Sequence, residues 1–439
     1  MSIELITALL VATFVALLVL GLPLAWTMGA TAVIFTVGLF EPSTMFMTMT
    51  RVFHMMLNYT LVSVPLFVLM GCILEKSGVA EQLFDAVYVW SGRLRGGLAI
   101  GVIIACVVMA AMVGIVGAEI VTFGLIALPQ MLDRGYDKGL ALGCITSGGG
   151  MATLIPPSVV FIVYGMTAGV SIGDLFIAGI IPGLLLAALF IGYIMVSVWR
   201  RPELAPAASE EDRDVPLKTK LKMLKGLIMP ALITLAVLGS IYVGIATPTE
   251  AAALGCLGAI MSAAMNRRLT WVVIVRACYE TLWISCMLTW LFFGAQAIIG
   301  IYTLAGGATF VKNTIMDLPF GTWGIVIVMQ IIWVFLGMFL DWIGILLLTG
   351  PMFIPIIQSL GLDPVWFGVV YCMNMHLAYL TPPFAPAAFY LKSITPPEIT
   401  MTQIYRATMP YLGWTAVANV IVVAWPGLSL WLPRLLLRH

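Results

Sequence analysis

Apolar segments follow one another along almost the whole chain, and this succession restricts the fold more than any other feature. Only 9% of the 439 residues are charged and 62% are hydrophobic, whereas soluble domains carry about 25% charged residues. So few polar side chains could not cover a water-exposed surface. The sequence therefore predicts an all-α, multi-pass membrane protein with room for roughly ten to twelve crossings. The predicted apolar segments are 3–22, 24–41, 60–75, 96–116, 118–132, 138–155, 158–180, 181–199, 226–245, 249–265, 271–305, 320–340, 342–360, 365–380, 384–394 and 408–432.

The composition also argues against several other classes of protein. The formal net charge is +1, and the sequence has no basic run that would indicate nucleic-acid binding. The seven cysteines lack paired or CxxC spacing and the three histidines lie far apart, so neither a disulfide framework nor a transition-metal cluster is predicted. We predict no cofactor. The segment Ile3–Ala25 has no preceding lysine or arginine and is interpreted as a retained first helix.

A polar segment, residues 200–225, separates two apolar halves. Because cytoplasmic loops of membrane proteins are enriched in Lys and Arg, we predict that this segment is cytoplasmic. Arg267 and Arg268, which the chain reaches after crossing out and back, agree with that orientation. The basic residues of the segment are Arg200, Arg201, Arg213, Lys218, Lys220, Lys222 and Lys225.

The two halves contain an internal repeat. Pro157 and Pro383 are 226 positions apart. When the sequence is aligned with itself at that offset, residues 124–157 match residues 350–383 without a gap. All three prolines of the first window fall on prolines of the second. Duplicated segments that Gly and Pro interrupt point to a binding site near the middle of the membrane.

A helix break is predicted within residues 146–157, TSGGGMATLIPP. Three successive glycines each weaken a helix by roughly 1 kcal/mol, and Pro156-Pro157 remove two backbone donors. Broken backbone is tolerated at membrane depth only where it lines a cavity or is buried in protein. Freed carbonyls there could coordinate Na⁺, and a helix N-terminus could face an anion. The alternative is a kink that serves packing only.

The matching segment of the second half, residues 374–384, keeps the Pro-Pro pair but lacks the glycine run. It adds the Asn374 amide and the Thr381 hydroxyl, so the two sites should differ in shape. An apolar turn with an acid precedes each break, and the acids are Glu119 and Asp341. Acids within membrane segments are functional by default, although helix capping or contact with a lipid headgroup remains the structural alternative.

Taken together, these motifs resemble the large membrane subunit of TRAP transporters, the tripartite ATP-independent periplasmic systems. The resemblance extends essentially from end to end. The motifs that carry it are Gly21-Leu-Pro23, VPLFVLMG at 64–71, Arg134-Gly-Tyr136, IPPS at 155–158, GIATPTEAAA at 244–253, LGMFLD at 336–341 and LTPP at 380–383.

The resemblance implies an inverted-repeat, elevator-type transporter with two re-entrant hairpins and two broken helices. A scaffold would comprise residues 1–95 and 226–319, and a transport domain would comprise residues 96–199 and 320–407. Residues 200–225 would form the cytoplasmic linker, and residues 408–439 a C-terminal membrane helix.

It also implies two Na⁺ sites at the hairpin tips and the helix breaks. Many family members have serines where this chain has Gly114-Ile-Val-Gly-Ala118, so backbone carbonyls would serve at the first site. We further expect substrate to contact both broken segments, with Glu119 and Asp341 as the hairpin acids. The expected residues are Gly114, Gly117, Ala152, Ile155 and Pro157 for the first cation site, Gly337, Ala378, Thr381 and Pro383 for the second, and Ser147, Gly149, Gly150 and Asn374 for substrate.

The implied function is Na⁺-coupled import of a small organic acid across a bacterial inner membrane, without enzyme activity. A periplasmic binding protein would deliver the substrate, and a small four-helix membrane subunit, expected as a separate polypeptide, would complete the complex. Residues 384–390 resemble the branch that handles monocarboxylates and 2-oxo acids. The alternatives left open are a self-sufficient cation–carboxylate symporter or antiporter, an intramembrane hydrolase using Glu119 and Asp341, and a structural or channel subunit.

Overall fold

The computed structural model describes residues 1–41, 43–91, 94–114, 116–206 and 216–436. Helices are the only regular elements in this described part, which confirms the all-α prediction. The predictions on Arg213 and residues 207–215 of the linker, and on Ile115 of the first hairpin turn, lie outside the described residues. The α-helices are Ile3–Val19, Leu24–Leu39, Thr44–Met56, Ser63–Lys76, Val79–Ser91, Gly97–Val113, Ala118–Asp133, Lys138–Gly149, Val159–Ala168, Ile172–Arg200, Leu217–Met223, Lys225–Tyr242, Pro248–Met265, Trp271–Leu304, Gly307–Met316, Thr322–Gly337, Trp342–Ser359, Pro364–Leu380, Pro386–Lys392, Met401–Ala424 and Gly427–Leu436. Short 3-10 helices occur at Tyr59–Val62, Gly150–Thr153 and Pro202–Leu204.

Helices of membrane-spanning length and composition are present throughout the described chain. Several further apolar helices are shorter, between 10 and 17 residues. Large apolar side chains such as Leu235, Trp271 and Val420 are exposed, as expected where lipid is the surrounding solvent. The protein is therefore a multi-pass membrane protein. The 6 described helices long enough to span are Tyr59–Lys76, Ile172–Arg200, Pro248–Met265, Trp271–Leu304, Trp342–Ser359 and Met401–Ala424.

We call Gly97–Val113 with Ala118–Asp133 the first hairpin, and Lys138–Gly149 with Val159–Ala168 the first broken helix. The first broken helix is interrupted within residues 146–157, as predicted. The α-helix ends at Gly149, and a 3-10 turn follows before the Pro-Pro pair. The glycines also permit close packing, because a Cβ on Gly149 would lie 2.8 Å from the backbone nitrogen of Ile120 in the first hairpin.

We call Thr322–Gly337 with Trp342–Ser359 the second hairpin, and Pro364–Leu380 with Pro386–Lys392 the second broken helix. The repeated sequence forms the same order of hairpin, cap and break in both halves. Asp137 and Asp363 each cap a broken helix by accepting a hydrogen bond from a backbone nitrogen, at 3.0 and 2.8 Å. Both Pro-Pro peptide bonds are cis.

The two repeats are interleaved in space. Val159–Ala168, which follows the first break, packs against Trp342–Ser359 of the second hairpin. Pro386–Lys392, which follows the second break, packs against Ala118–Asp133 of the first hairpin. Each break is thus enclosed by elements from both halves of the chain.

The boundary predicted between segments 158–180 and 181–199 was wrong. The helix after the first break ends earlier, where Gly169 adopts a left-handed φ of +65°. Ser171 then caps a single helix, Ile172–Arg200, by accepting a hydrogen bond from a backbone nitrogen at 3.2 Å. The capping residues Gly169 and Ser171 therefore determine where one helix ends and the next begins, and a hydrophobicity pattern does not reveal them.

The last long helix also begins earlier than residue 408. Thr400 and Gln403 form a reciprocal capping box, and the helix Met401–Ala424 follows it. A second helix, Gly427–Leu436, continues beyond a short break. The predicted segment 408–432 therefore merged the end of one helix with the start of the next.

A buried amide cluster joins the second hairpin to its neighbours. Gln330 Oε1 accepts hydrogen bonds from Asn374 Nδ2 at 3.1 Å and from Asn419 Nδ2 at 2.7 Å. The three side chains lie on the second hairpin, the second broken helix and the helix Met401–Ala424. The cluster therefore fixes the position of three elements relative to one another.

Replacing Gln330 with Leu should destabilise the protein by about 2 kcal/mol, because two buried amide donors lose their shared acceptor. We expect a lower midpoint of thermal unfolding in detergent. Gln358→Leu is the matched control, since Gln358 is exposed in the same hairpin. Equal midpoints for the two variants would show that the cluster does not stabilise the fold.

Candidate functional site

A cavity of about 930 Å³ lies where the tips of both hairpins meet the rest of the chain. Its wall includes the tips, at Gly114 and Asp341, and the breaks, at Val159 and Phe384. The opposite wall is formed by three helices outside the repeats, Leu24–Leu39, Ser63–Lys76 and Trp271–Leu304. The structure therefore brings to one place the two elements that the sequence singled out in each half.

The first hairpin tip touches both broken helices. A Cβ built on Gly114 would lie 2.1 Å from the Pro157 carbonyl oxygen, and the Val159 nitrogen donates to the Gly114 carbonyl at 3.5 Å. A Cβ built on Gly117 would lie 3.0 Å from the Tyr379 hydroxyl of the second broken helix. Gly114 and Pro157 are thus adjacent, whereas Gly117 faces the other half.

Ala152 and Ile155 lie in the turn between the two halves of the first broken helix. Both are buried, and the Ile155 nitrogen donates to the Met151 carbonyl at 3.0 Å. Any cation held at the first predicted site would therefore be bound by backbone carbonyls, since Gly114, Gly117, Ala152, Ile155 and Pro157 carry no side-chain oxygen. The assignment stays a prediction.

At the second predicted site, Gly337 packs directly on Ala378, because a Cβ on Gly337 would lie 2.2 Å from the Ala378 Cβ. The Thr381 hydroxyl donates to a carbonyl of the preceding turn at 2.7 Å, which leaves its oxygen lone pairs free. The Pro383 carbonyl accepts from the Tyr405 hydroxyl at 2.8 Å and retains a second lone pair. This donor set fits a cation that prefers oxygen, and here too the assignment stays a prediction.

The four residues expected to contact substrate lie in the protein interior instead of on the cavity wall. Ser147, Gly149, Gly150 and Asn374 are all buried, and none lines the 930 Å³ cavity. Gly149 supports hairpin packing and Asn374 belongs to the amide cluster. Ser147 Oγ has no hydrogen-bond partner among the described residues. Their role in substrate binding stays a prediction.

The two hairpin acids occupy different environments. Asp341 lies on the cavity wall, at the N-cap position of Trp342–Ser359. Glu119 is only 1% exposed, and neither of its carboxylate oxygens has a hydrogen-bond partner among the described residues. Glu119 does not line the cavity, so the two acids do not form one joint site.

Two further acids on the cavity wall, Glu75 and Glu280, were not predicted. Glu75 Oε1 accepts a hydrogen bond from Thr122 of the first hairpin at 3.2 Å, and Glu280 forms an ion pair with Lys76 at 2.8 Å. No Lys, Arg or His is among the described residues of this wall. Glu280 interrupts an apolar run, and the rule that selected Glu119 would have found it.

Glu280→Gln should lower the apparent midpoint of thermal unfolding, because it leaves the Lys76 ammonium without its partner. The Lys76 side chain is 22% exposed and that of Glu280 is 43% exposed, so solvent screening limits the loss to about 1 kcal/mol. Glu81→Gln is the control, since the Glu81–Arg268 pair is 54% exposed on both sides and should contribute less. A double variant, Lys76→Met with Glu280→Gln, should recover part of the loss. No recovery would indicate that the charge pair is not the cause.

Comparison with known proteins decides the family. Residues 11–428 match the family described as the tripartite ATP-independent periplasmic transporter, DctM component. The chain belongs to this TRAP transporter family. It is 31% identical to the C4-dicarboxylate TRAP transporter large permease protein DctM of Pseudomonas aeruginosa, over 91% of this chain and 92% of the relative. As a member of a transporter permease family it is not expected to be an enzyme, and the family works with a small membrane subunit and a periplasmic binding protein.

Two other matches extend the comparison. The chain is 27% identical to the isethionate TRAP transporter permease protein DctMQ of Oleidesulfovibrio alaskensis, over 95% of this chain and 65% of the relative. Among solved structures, it resembles the YdaH transporter of Alcanivorax borkumensis with a TM-score of 0.58 and 17% identity, over 86% of this chain and 89% of that chain. The structural likeness concerns the fold alone.

Proposed function

We propose that this TRAP family permease imports a small organic acid, coupled to Na⁺, by an elevator movement in a bacterial inner membrane. The observation that supports this most is the 930 Å³ cavity, where the tips of two repeated hairpins meet the rest of the chain. Its described wall carries acids and no basic side chain. A cation would enter such a cavity readily, and an anion would enter once cations had offset the acids.

The coupling follows from this charge balance. Na⁺ bound at carbonyls of the breaks would offset Glu75 and Asp341 and hold the hairpin tips in place, so that an organic anion binds more tightly. The membrane potential contributes about 2.3 kcal/mol per net positive charge per 100 mV. Import of two or more Na⁺ with a monovalent acid would then be driven inward. The named substrates of the relatives, a C4-dicarboxylate and isethionate, share an anionic group.

Uptake into proteoliposomes tests the proposal. The vesicles contain this chain with its small membrane subunit, the periplasmic binding protein is added outside, and a panel of labelled C4-dicarboxylates, 2-oxo acids and sulfonates is supplied. We expect uptake of at least one acid that requires both an inward Na⁺ gradient and the binding protein. Uptake without the binding protein would favour the self-sufficient symporter. Uptake that ignores the Na⁺ gradient would remove Na⁺ coupling from the proposal.

The elevator movement can be tested at the contact between Glu75 and Thr122. Glu75 belongs to the predicted scaffold and Thr122 to the predicted transport domain, and their side chains are hydrogen-bonded here. We expect that Glu75→Cys with Thr122→Cys, joined by a short bifunctional maleimide, stops uptake, because sliding must separate the two positions.

The controls for this experiment are the two single-cysteine variants in a background with Cys278→Ser and Cys286→Ser, the exposed natural cysteines. Labelling them with the same reagent measures the loss that the substitution and the label cause by themselves, and the cross-linked protein should take up much less than either labelled single variant. Full uptake by the cross-linked protein would show that these elements do not separate during transport.

A further inference from the structure

A second cavity, of about 480 Å³, lies away from the hairpin tips. It is bounded by the amphipathic helix Thr44–Met56, the end of the first broken helix, the helix Trp271–Leu304 and the second hairpin. Arg51 and His54 line it, together with the polar side chains of Asn58, Thr167 and Gln296, and its described lining includes no acid. It is thus opposite in charge character to the 930 Å³ cavity.

Arg51 makes no ion pair or hydrogen bond with the described residues. The ion pairs among those residues are Lys76–Glu280 and Arg268–Glu81. It is half-buried, and the chain makes room for its stem, because a Cβ on Gly300 would lie 3.1 Å from Arg51 Cδ. A half-buried guanidinium whose charge no acid of the described chain offsets can bind an anion through charge-assisted hydrogen bonds.

The position of this cavity relative to the membrane follows from the neighbouring helices. Thr167 lies just before the turn from which Ile172–Arg200 crosses the molecule. Arg200 opens the polar segment that the distribution of basic residues assigns to the cytoplasm. The Arg51 cavity is therefore at the opposite, periplasmic end, where basic residues are not favoured by topology alone.

We propose that Arg51 and His54 form an anion-binding site that receives the acid group of the substrate on the periplasmic side, before the substrate reaches the hairpin tips. Identifying the anion as the transported acid rests on the proposed function; the site itself does not. The hairpin cavity, with its acids, repels a free anion, so a cationic entry site raises the chance of capture. Arg offers a planar fork that matches a carboxylate or sulfonate, and equally a lipid phosphate.

Thiol labelling tests the site without transport. His54→Cys, in the Cys278→Ser and Cys286→Ser background, is treated with an anionic and a cationic methanethiosulfonate. We expect the ratio of anionic to cationic labelling rates to fall about tenfold when Arg51→Gln is added, since a cationic cleft concentrates anions by 10- to 1,000-fold. Thr314→Cys, exposed and outside this cavity, should show little change. An unchanged ratio at His54→Cys would refute the anion site even if transport proves to be Na⁺-coupled.

Two further arms identify the source of the anion. In phosphatidylcholine vesicles, the acid that is taken up in the panel should slow anionic labelling of His54→Cys only when Arg51 is present. If phosphatidylglycerol slows labelling and no acid of the panel does, the site holds a lipid headgroup and the assignment to substrate is wrong. In the uptake assay, Arg51→Gln should raise KM at least about tenfold with kcat nearly unchanged, and Arg51→Lys, which keeps the charge and loses the planar fork, should restore only part of the affinity. A fall in kcat at constant KM would contradict an entry site.

Discussion

Gly114→Ala should reduce uptake on the order of a hundredfold, because displacements of about 1 Å at a working site can have that effect. Gly114 has a φ of +65°, a left-handed conformation that costs an L-residue roughly 1–2 kcal/mol. Its added Cβ would also lie 2.1 Å from the Pro157 carbonyl oxygen, closer than real Cβ atoms come. The first hairpin tip must therefore move away from the first break, which removes the contact on which the predicted cation site depends.

Gly135→Ala is the matched control for Gly114→Ala. Gly135 ends the same hairpin with a φ of +78°, but a Cβ there would meet no atom within 4 Å. Both variants place an alanine in a left-handed conformation, but only Gly114→Ala also creates a steric clash with the Pro157 carbonyl. Uptake per folded molecule, with folding checked by size-exclusion chromatography and thermal unfolding, separates the two effects. Similar uptake by both variants would mean that contact between tip and break is not needed.

Asp341→Asn should raise the Na⁺ concentration for half-maximal uptake at least about thirtyfold. A unit charge about 8 Å from a bound cation contributes roughly 2 kcal/mol at an effective dielectric constant of about 20. Asp341 lies on the wall of the 930 Å³ cavity at the second hairpin tip, and the substitution removes its charge with little change of shape. Uptake measured against Na⁺ at saturating substrate checks this.

Asp317→Asn serves as the control for Asp341→Asn. Asp317 is exposed at the end of Gly307–Met316 and does not line the hairpin cavity, so the Na⁺ dependence should hardly change. An Asp341→Asn protein with normal Na⁺ dependence but weaker substrate binding would assign Asp341 to substrate recognition. Unchanged values of both would show that the charge of Asp341 contributes to neither Na⁺ binding nor substrate binding.

The candidate site shows where prediction from sequence stops. The sequence located both breaks because Pro156-Pro157 and Pro382-Pro383 act locally, and the structure ends or interrupts helices at both pairs. The α-helix before the first break ends inside the predicted segment, at Gly149, and a 3-10 turn begins at Gly150. A glycine that admits a neighbouring backbone and a glycine that breaks a helix have the same local sequence, and only the partner, here Ile120, tells them apart.

Contacts between distant segments also explain why the sequence did not show the hydrogen bond of the Asn374 amide or the acids Glu75 and Glu280 of the cavity wall. Asn374 is predicted to contact substrate because it precedes a break, and the sequence does not show that its amide nitrogen donates to Gln330. Glu75 and Glu280 are far apart in sequence, and no local pattern connects them to Asp341. Their convergence depends on how helices outside the repeats dock onto the hairpin tips, which is a matter of tertiary packing.

The sequence alone determined that this is an all-α membrane protein of duplicated halves, with an apolar exterior and paired helix breaks. Those properties depend on the hydrophobicity of each segment, on helix-breaking residues and on the constant spacing between the two repeats. All three can be read from the sequence without knowing which segments are in contact. Only the tertiary structure decided that the first hairpin tip touches the second broken helix, through Gly117 and Tyr379. The tertiary structure alone also showed that the acids and Arg51 line different cavities. Whether two charged side chains share a cavity depends on the distance between helices that are far apart in the sequence.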